Sequence, residues 1–264
     1  VDISILTPTL QSACYFRECL SSVTSQSKNH IKFEHIVIDG GSNDETAAIA
    51  AEFPHIQFIT KLGLTAAEAV NHGFSVALGR YLLWLNSDDF LEKDALQNFE
   101  SALLAEPNSD VYVGGVSFVD QHSCALSAFS WCDIAQFRSS PLEKVLYGRP
   151  LVGSSLVKSA TFAAMGGIDE RYPLSNDREF MARLIIKGAT LYDLRANTLK
   201  FRIHDGSKTT RNDKQNVSIY LPEHLEWAGM LAKVSNSCAQ TKGKLLCWRQ
   251  FETIRYMRYS FSLS

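Results

Sequence analysis

The stretch Tyr81-Leu82-Leu83-Trp84-Leu85-Asn86-Ser87-Asp88-Asp89 decides how the rest of the chain is read. An apolar run of strand length stops abruptly at two adjacent carboxylates. Such a run, buried on both sides, suits a central sheet strand, and the polar cluster then emerges at its carboxyl end, where open α/β sheets bind ligands. Two carboxylates held there need a cation. Asn, Ser and Asp are also ordinary turn residues, so the stretch taken alone equally fits a strand running into a solvated turn.

Working outward, strands and helices alternate. Ile3 to Leu6 is a β-branched apolar run closed by Thr7-Pro8-Thr9, and Phe16 to Val23 has helical spacing. Phe33 to Ile38 reads as a second strand ending in Asp39-Gly40-Gly41-Ser42, followed by the alanine-rich helix Thr46 to Phe53, with Ser42 or Asn43 as its cap. Ile56 to Ile59 is a strand, Ala66 to Leu78 a helix, Asp94 to Ala105 a helix, and Val111 to Val113 a short strand ahead of a glycine pair. This order predicts an α/β fold, a Rossmann-like, mostly parallel sheet flanked by helices. Periodicity weakens between 120 and 150 and returns at Gly166-Gly167-Ile168-Asp169-Glu170, in the helical Arg178 to Lys187, and in a strand Leu199 to Ile203 leading to His204. Beyond about residue 215 the tail reads as a helical extension.

Composition bounds the function. The chain has 264 residues, 45% hydrophobic and 20% charged, as in ordinary globular proteins. A formal net charge of −2 gives no general attraction to nucleic acid, so none is expected as a partner. No run approaches the roughly 18 apolar residues of a membrane helix, and the first residues read as a strand and not a secretion signal. Because residue 1 is Val and not Met, a targeting segment ahead of it stays open. Six cysteines lie scattered, with no Cys-x-x-Cys pair, and read as thiols in a reducing compartment. Between 230 and 264, basic residues interleave with Trp248, Phe251, Tyr256, Tyr259 and Phe261. That pattern fits a helix lying on an anionic membrane, or one packed on its own domain, and the second is the commoner case.

No phosphate loop, dinucleotide fingerprint, His-Glu-x-x-His or Gly-x-Ser-x-Gly motif occurs in the sequence. What remains is carboxylates at strand ends, the arrangement expected around a metal-bridged phosphate ligand. Asp39 follows Ile36-Val37-Ile38, on the same rim as Thr7 and Asp88. Its side chain can accept the imide N–H of a uracil ring, or simply close a turn with Gly40-Gly41. Asp88 and Asp89 offer hard oxygen ligands. Asp177, in Leu174-Ser175-Asn176-Asp177, stands just ahead of a helix, where a carboxylate is usually a cap.

Thr7-Pro8-Thr9, Asp39-Gly40-Gly41-Ser42-Asn43-Asp44, Ala69-Val70-Asn71-His72-Gly73 and Leu85-Asn86-Ser87-Asp88-Asp89, in this order, resemble the nucleotide-sugar half of family 2 glycosyltransferases. Gly166 to Glu170, Asn176-Asp177, Arg183-Leu184 and His204 are similar to its acceptor half. The resemblance spans about 3 to 210. It implies the GT-A fold over 1–210, divided into a nucleotide-sugar half (1–115) and an acceptor half (116–210), with 211–264 as a C-terminal helical extension. It further implies inverting sugar transfer from a nucleotide diphosphate donor, by preference a UDP-sugar, to a glycan or lipid-linked glycan acceptor, in bacterial polysaccharide or envelope synthesis. A cytoplasmic site, at most peripheral to the inner membrane face through 230–264, goes with that. Position by position, Thr7, Pro8 and Thr9 fall in the nucleoside pocket, Asp39 reads the base, and Gly41, Asn71, Asn86, Ser87 and Asp88 bind the donor. Asp88, with His204, falls where the family holds Mn2+ or Mg2+, and Asp177 matches the catalytic base. Asn86 replaces the first acid of the family's Asp-x-Asp motif and brings no charge, and Glu68 stands where Asp is usual, altering the pocket. Two rivals keep the same sheet: a sugar-nucleotide synthetase, which normally opens with a glycine-rich basic loop that Thr9-Leu10-Gln11-Ser12 is not, and a noncatalytic donor-binding relative.

Overall fold

A computed structural model describes residues 1–26, 30–129, 141–147, 152–207, 214–234, 241–246, 248–250 and 252. Its first half follows the predicted alternation. Strands β1 (Ile3–Thr9), β2 (Phe33–Asp39), β3 (Ile56–Thr60) and β4 (Tyr81–Trp84) pair in parallel in the order β3-β2-β1-β4, linked by α1 (Ala13–Thr24), α2 (Thr46–Ala51) and α3 (Ala66–Val76). All seven residues of β1 and all four of β4 are buried, as central strands covered on both faces require. The period of two sorts their side chains: Leu6, Leu82 and Trp84 enter one core, whereas Ile3, Ile5, Leu83 and Leu85 enter the core on the opposite face.

Beyond β4 the sheet changes direction. β4 pairs antiparallel with β8 (Ser155–Lys158), β8 antiparallel with β6 (Val111–Val119), and β6 in parallel with β9 (Leu191–Arg202), which carries β5 (Phe90–Leu91) at its far side. β7 (Ala125–Phe129) folds back on β6 as a hairpin partner. Helices α4 (Ala95–Ala105), α5 (Pro141–Tyr147), α6 (Ser159–Ala164) and α7 (Asn176–Ile186) complete this part, and α8 (Lys214–Val234) follows. A division at 115/116 falls inside β6.

Pro8 explains where the sheet opens. The peptide N–H of Leu85 reaches the carbonyl of Leu6 (2.8 Å), so Leu6 faces β4, and the Gly40 N–H reaches the carbonyl of Thr9 (2.9 Å), so Thr9 faces β2. By alternation, Pro8 turns its missing N–H to the β4 side, past the last paired residue, Trp84. β1 therefore outruns β4. The notch left beside Pro8 is where a ligand can enter.

Several elements differ from the sequence expectations. β1 runs through Thr7-Pro8-Thr9, because β2 pairs with it as far as Asp39. β9 begins eight residues before Leu199; that first part is mixed in polarity, half-exposed, and interrupted at Arg195 (φ 53°), so no alternation marks it. Glu68 is a helix cap: its carboxylate accepts the Thr65 N–H (2.7 Å) while the Thr65 hydroxyl accepts the Glu68 N–H, a reciprocal capping box that also holds the Glu68 carboxyl below its ordinary range.

The tail packs inward over its described residues. Trp227 and Trp248 are fully buried, with stacked rings 5.0 Å apart, and Lys244 pairs with Glu143 of α5 at 3.2 Å. Phe251, Tyr256, Tyr259 and Phe261 lie outside the described residues, as do Cys132, Cys238 and Cys247. Cys14, Cys19 and Cys124 are free thiols. Among the described residues no helix is long and apolar enough to cross a membrane.

Candidate functional site

The notch beside Pro8 widens into a cavity of about 610 Å³. One wall is the end of β1 and the loop after it, Pro8 to Ser12 with Tyr15; another is Asn86 to Asp89 after β4; others are Leu64 to Ala67 at the start of α3, Leu174, Asn176 and Asp177 at the start of α7, and His204, Gly206 and Ser207 after β9. Carboxyl ends of β1 and β4 thus meet the later part of the chain across one cavity. Of the residues read from sequence, Pro8, Thr9, Asn86, Ser87, Asp88, Asp177 and His204 line it.

The Asn86–Asp89 turn is tightly held. Asn86 accepts the indole N–H of Trp84 (2.9 Å) and donates to Asp89 (3.2 Å); the Ser87 hydroxyl lies 2.7 Å from that of Ser12. Asp89 is buried, accepts the backbone N–H of Arg202 (2.9 Å), and is raised well above the ordinary carboxylate range by burial and by the neighbouring Asp88. Asp88 instead faces the cavity, with its Oδ2 3.1 Å from His204 Nε2. A carboxylate oxygen and an imidazole nitrogen side by side are the ligand types a divalent cation accepts. Among the described residues no group of three or more His, Cys, Asp and Glu side chains is placed to hold a metal.

Arg202, at the end of β9, belongs to no motif in the sequence. Its guanidinium is 1% exposed and donates to the carbonyl of Asp88 (2.9 Å), to Ser123 (2.9 Å) and to Glu18 (2.5 Å), while lying 4.5 Å over the Tyr15 ring. Tyr15 in turn packs on His204, ring centres 4.7 Å apart. One buried cation therefore orders Asp88, Tyr15 and the strand end that presents His204. Only its position two residues before His204 could have singled it out.

Asp177 opens α7 in its first turn and accepts the adjacent Arg178 N–H (2.7 Å). Burial raises its carboxyl, and Arg178 offsets that in part. A carboxylate held above its usual range at a cavity wall is a stronger base than an exposed one.

Four sequence candidates, Thr7, Asp39, Gly41 and Asn71, lie off the cavity. Thr7 is fully buried and bonds His35 Nε2 (2.9 Å). Asp39 closes its own turn, accepting from Gly41 N (3.2 Å), Ser42 N (3.1 Å) and Ser42 Oγ (2.6 Å); Gly41 sits at φ 101°, where a side chain would be strained and its Cβ would meet Leu62. Asn71 spends its amide on the main chain of Ile168, at 2.9 and 2.8 Å, and on Glu170, tying α3 to the Gly166-Gly167 loop. Arg183 braces that loop from α7 by donating to the carbonyls of Met165 and Gly167 while pairing with buried Glu179. By contrast the Thr9 hydroxyl, 5% exposed on the cavity wall, has no partner among the described residues.

Comparison with known proteins points one way. A family profile described as glycosyl transferase family 2 matches residues 4–123. A PGL/p-HBAD biosynthesis glycosyltransferase of Mycobacterium tuberculosis is 30% identical over 189 residues, 68% of either chain. An uncharacterized glycosyltransferase of Rickettsia typhi is 27% identical over 245 residues, 88% of this chain and 72% of the relative. In fold, the crystal structure of S. aureus TarS 1–349 in complex with UDP-GlcNAc superposes with a TM-score of 0.72 at 16% identity, covering 100% of this chain and 74% of that one.

Proposed function

Because the chain belongs to the family 2 glycosyltransferases and has the GT-A fold, we propose that it inverts the anomeric centre of a nucleotide diphosphate sugar, with Asp177 as base and Asp88 with His204 at the diphosphate. One observation carries this reading: Asp88, His204 and Asp177 line a single cavity at the carboxyl ends of β1 and β4. A UDP-sugar is the proposed donor. TarS, of the same fold, binds UDP-GlcNAc. The proposed acceptor is a bacterial envelope glycan or its lipid-linked form, by analogy with the mycobacterial relative.

The chemistry follows from charge. Glycosyl transfer passes through an oxocarbenium-like state while negative charge gathers on the departing diphosphate. Asp88 and His204 fit a divalent cation, Mn2+ or Mg2+, which when bound would neutralise that charge. Asn86, neutral where the family places an acid, leaves Asp88 as the charged ligand of the turn. Arg202 holds the Asp88 peptide in register, so the carboxylate need not reorganise as charge develops. Asp177, raised by burial, takes the proton of the acceptor hydroxyl as it attacks.

Two variants test the reading in one series. Asp177→Asn should cost about 10²–10⁴-fold in UDP release from the best of a UDP-sugar panel, with donor binding retained. Asp88→Ala should weaken calorimetric binding of UDP with Mn2+. More than about a tenth of wild-type turnover in Asp177→Asn removes the base; unchanged UDP–Mn2+ affinity in Asp88→Ala removes the ligand.

A further inference from the structure

The start of α7 is held from outside the helix. Ser175 is its N-cap, yet the Ser175 side chain makes no capping bond to the helix. It turns away, donating to Glu223 Oε2 (2.8 Å) and accepting the indole N–H of Trp227 (3.2 Å). The same carboxylate oxygen accepts the backbone N–H groups of Ser175 (2.9 Å) and Leu174 (3.2 Å). Glu223 and Trp227 stand four apart on α8, so one helix face presents both. The side chains of this cluster are sequestered: Glu223 is 7% exposed, Ser175 and Trp227 fully buried.

Leu174, Asn176 and Asp177 line the cavity, so the backbone that Glu223 grips is the backbone that aims Asp177. An ordinary N-cap would fix only the helix; three bonds from one buried carboxylate fix the approach to it as well. We propose that Glu223 is a positioning residue for Asp177, and that the C-terminal helix thereby forms part of the catalytic apparatus although it lies outside the stretch matched by the family profile. The inference rests on the role assigned to Asp177 for its catalytic meaning, but not for its geometry. Charge works in the same direction. Burial raises the Glu223 carboxyl, and the negative charge of Asp177 adds to that, while Arg178 is the cation facing Asp177. Coulomb repulsion is mutual, so Glu223 favours proton uptake by Asp177.

The experiment uses the whole chain and carboxyl-carbon NMR, with the Asp177 signal assigned by its loss in Asp177→Asn. In Glu223→Gln the Asp177 titration midpoint should fall, and the Ser175 and Asp177 amide signals should move. Turnover should drop roughly tenfold with donor KM unchanged, since a misaimed base costs rate and not binding. If Glu223→Gln does not fold, Glu223→Asp keeps the charge but withdraws the carboxylate by one methylene, and the Ser175 amide should lose protection from hydrogen exchange. An unmoved Asp177 midpoint with unshifted amides in folded Glu223→Gln, or full Ser175 protection in Glu223→Asp, overturns the inference. Retained turnover in Asp177→Asn would instead sink the base assignment and leave the NMR result standing.

Discussion

Replacing Arg202 by Met removes the guanidinium, whose central carbon lies over the Tyr15 and Phe90 rings, while keeping most of the aliphatic stem. Glu18 is 42% exposed in its side chain and can rehydrate, so little is lost there. The Asp88 carbonyl and the Ser123 hydroxyl, however, lose donors at 2.9 Å. The Ser123 hydroxyl keeps Glu18 as a partner, whereas leaving the Asp88 carbonyl without its donor costs about 1–3 kcal/mol, and loss of the cation over Tyr15 adds about 0.5–1 kcal/mol. Asp89 also loses a nearby cation that opposes its raised pKa. The total, about 1.5–4 kcal/mol, corresponds in a chain of this size to a Tm lower by roughly 3–16 °C. Urea titration at pH 7 followed by tryptophan fluorescence reads it directly. Arg202→Lys, which keeps the charge but cannot bond three ways at once, should fall between wild type and Met. A loss below about 1 kcal/mol in Arg202→Met would mean that water replaces the guanidinium and that Arg202 does not hold the Asp88 turn.

Two further outcomes follow from buried groups elsewhere in the sheet. His35 is buried against Thr7 and pushed down to about 3, so below its ordinary pKa near 6.5 the unfolded chain takes a proton that the native state refuses. Stability present above pH 6.5 is therefore lost as pH falls, by about 2 kcal/mol at pH 5, and His35→Gln should flatten that slope in urea midpoints compared at pH 7.5 and 5. Gly114→Ala would put a Cβ 2.1 Å from Thr198 Oγ1 and 2.8 Å from the Ser154 carbonyl, against a hydrogen bond already closed at 2.8 Å. It should cost about 1–3 kcal/mol, and a thermal melt matching wild type would show that β6 and β9 can part to admit it.

What the sequence disclosed depended on length and locality. β1 to β4 are apolar runs ended by Gly, Pro, Asn or Asp, and each was readable within a few residues of itself. β5, β7 and β8 are two, five and four residues long, too short for a period to declare itself, and β9 begins in a mixed polar segment. Asp88, Asp177 and His204 were visible because each sits at an element end in a recognisable pattern, and they do share one cavity. Arg202 and Glu223 were not. Their partners are 184 and 48 residues away along the chain, a separation that no spacing rule spans. Asn71 was noticed for its neighbourhood, but its amide serves a contact 97 residues distant that only the fold reveals.

β6 has a consequence for how such proteins can be taken apart. Its Val111–Val113 end pairs with β8, its Val116–Val119 end with β7, and nearly its whole length with β9. The segments before and after it are thus sewn along a common seam instead of being joined by a hinge. A chimera cut near 115 would set Val111–Val113 of β6 against a foreign β8 and a foreign β9 at once, while Val116–Val119 would travel with β7. A transplant that respects the seam would leave β6 and β9 intact and exchange only the loops that rise from them, beginning with the one that follows His204.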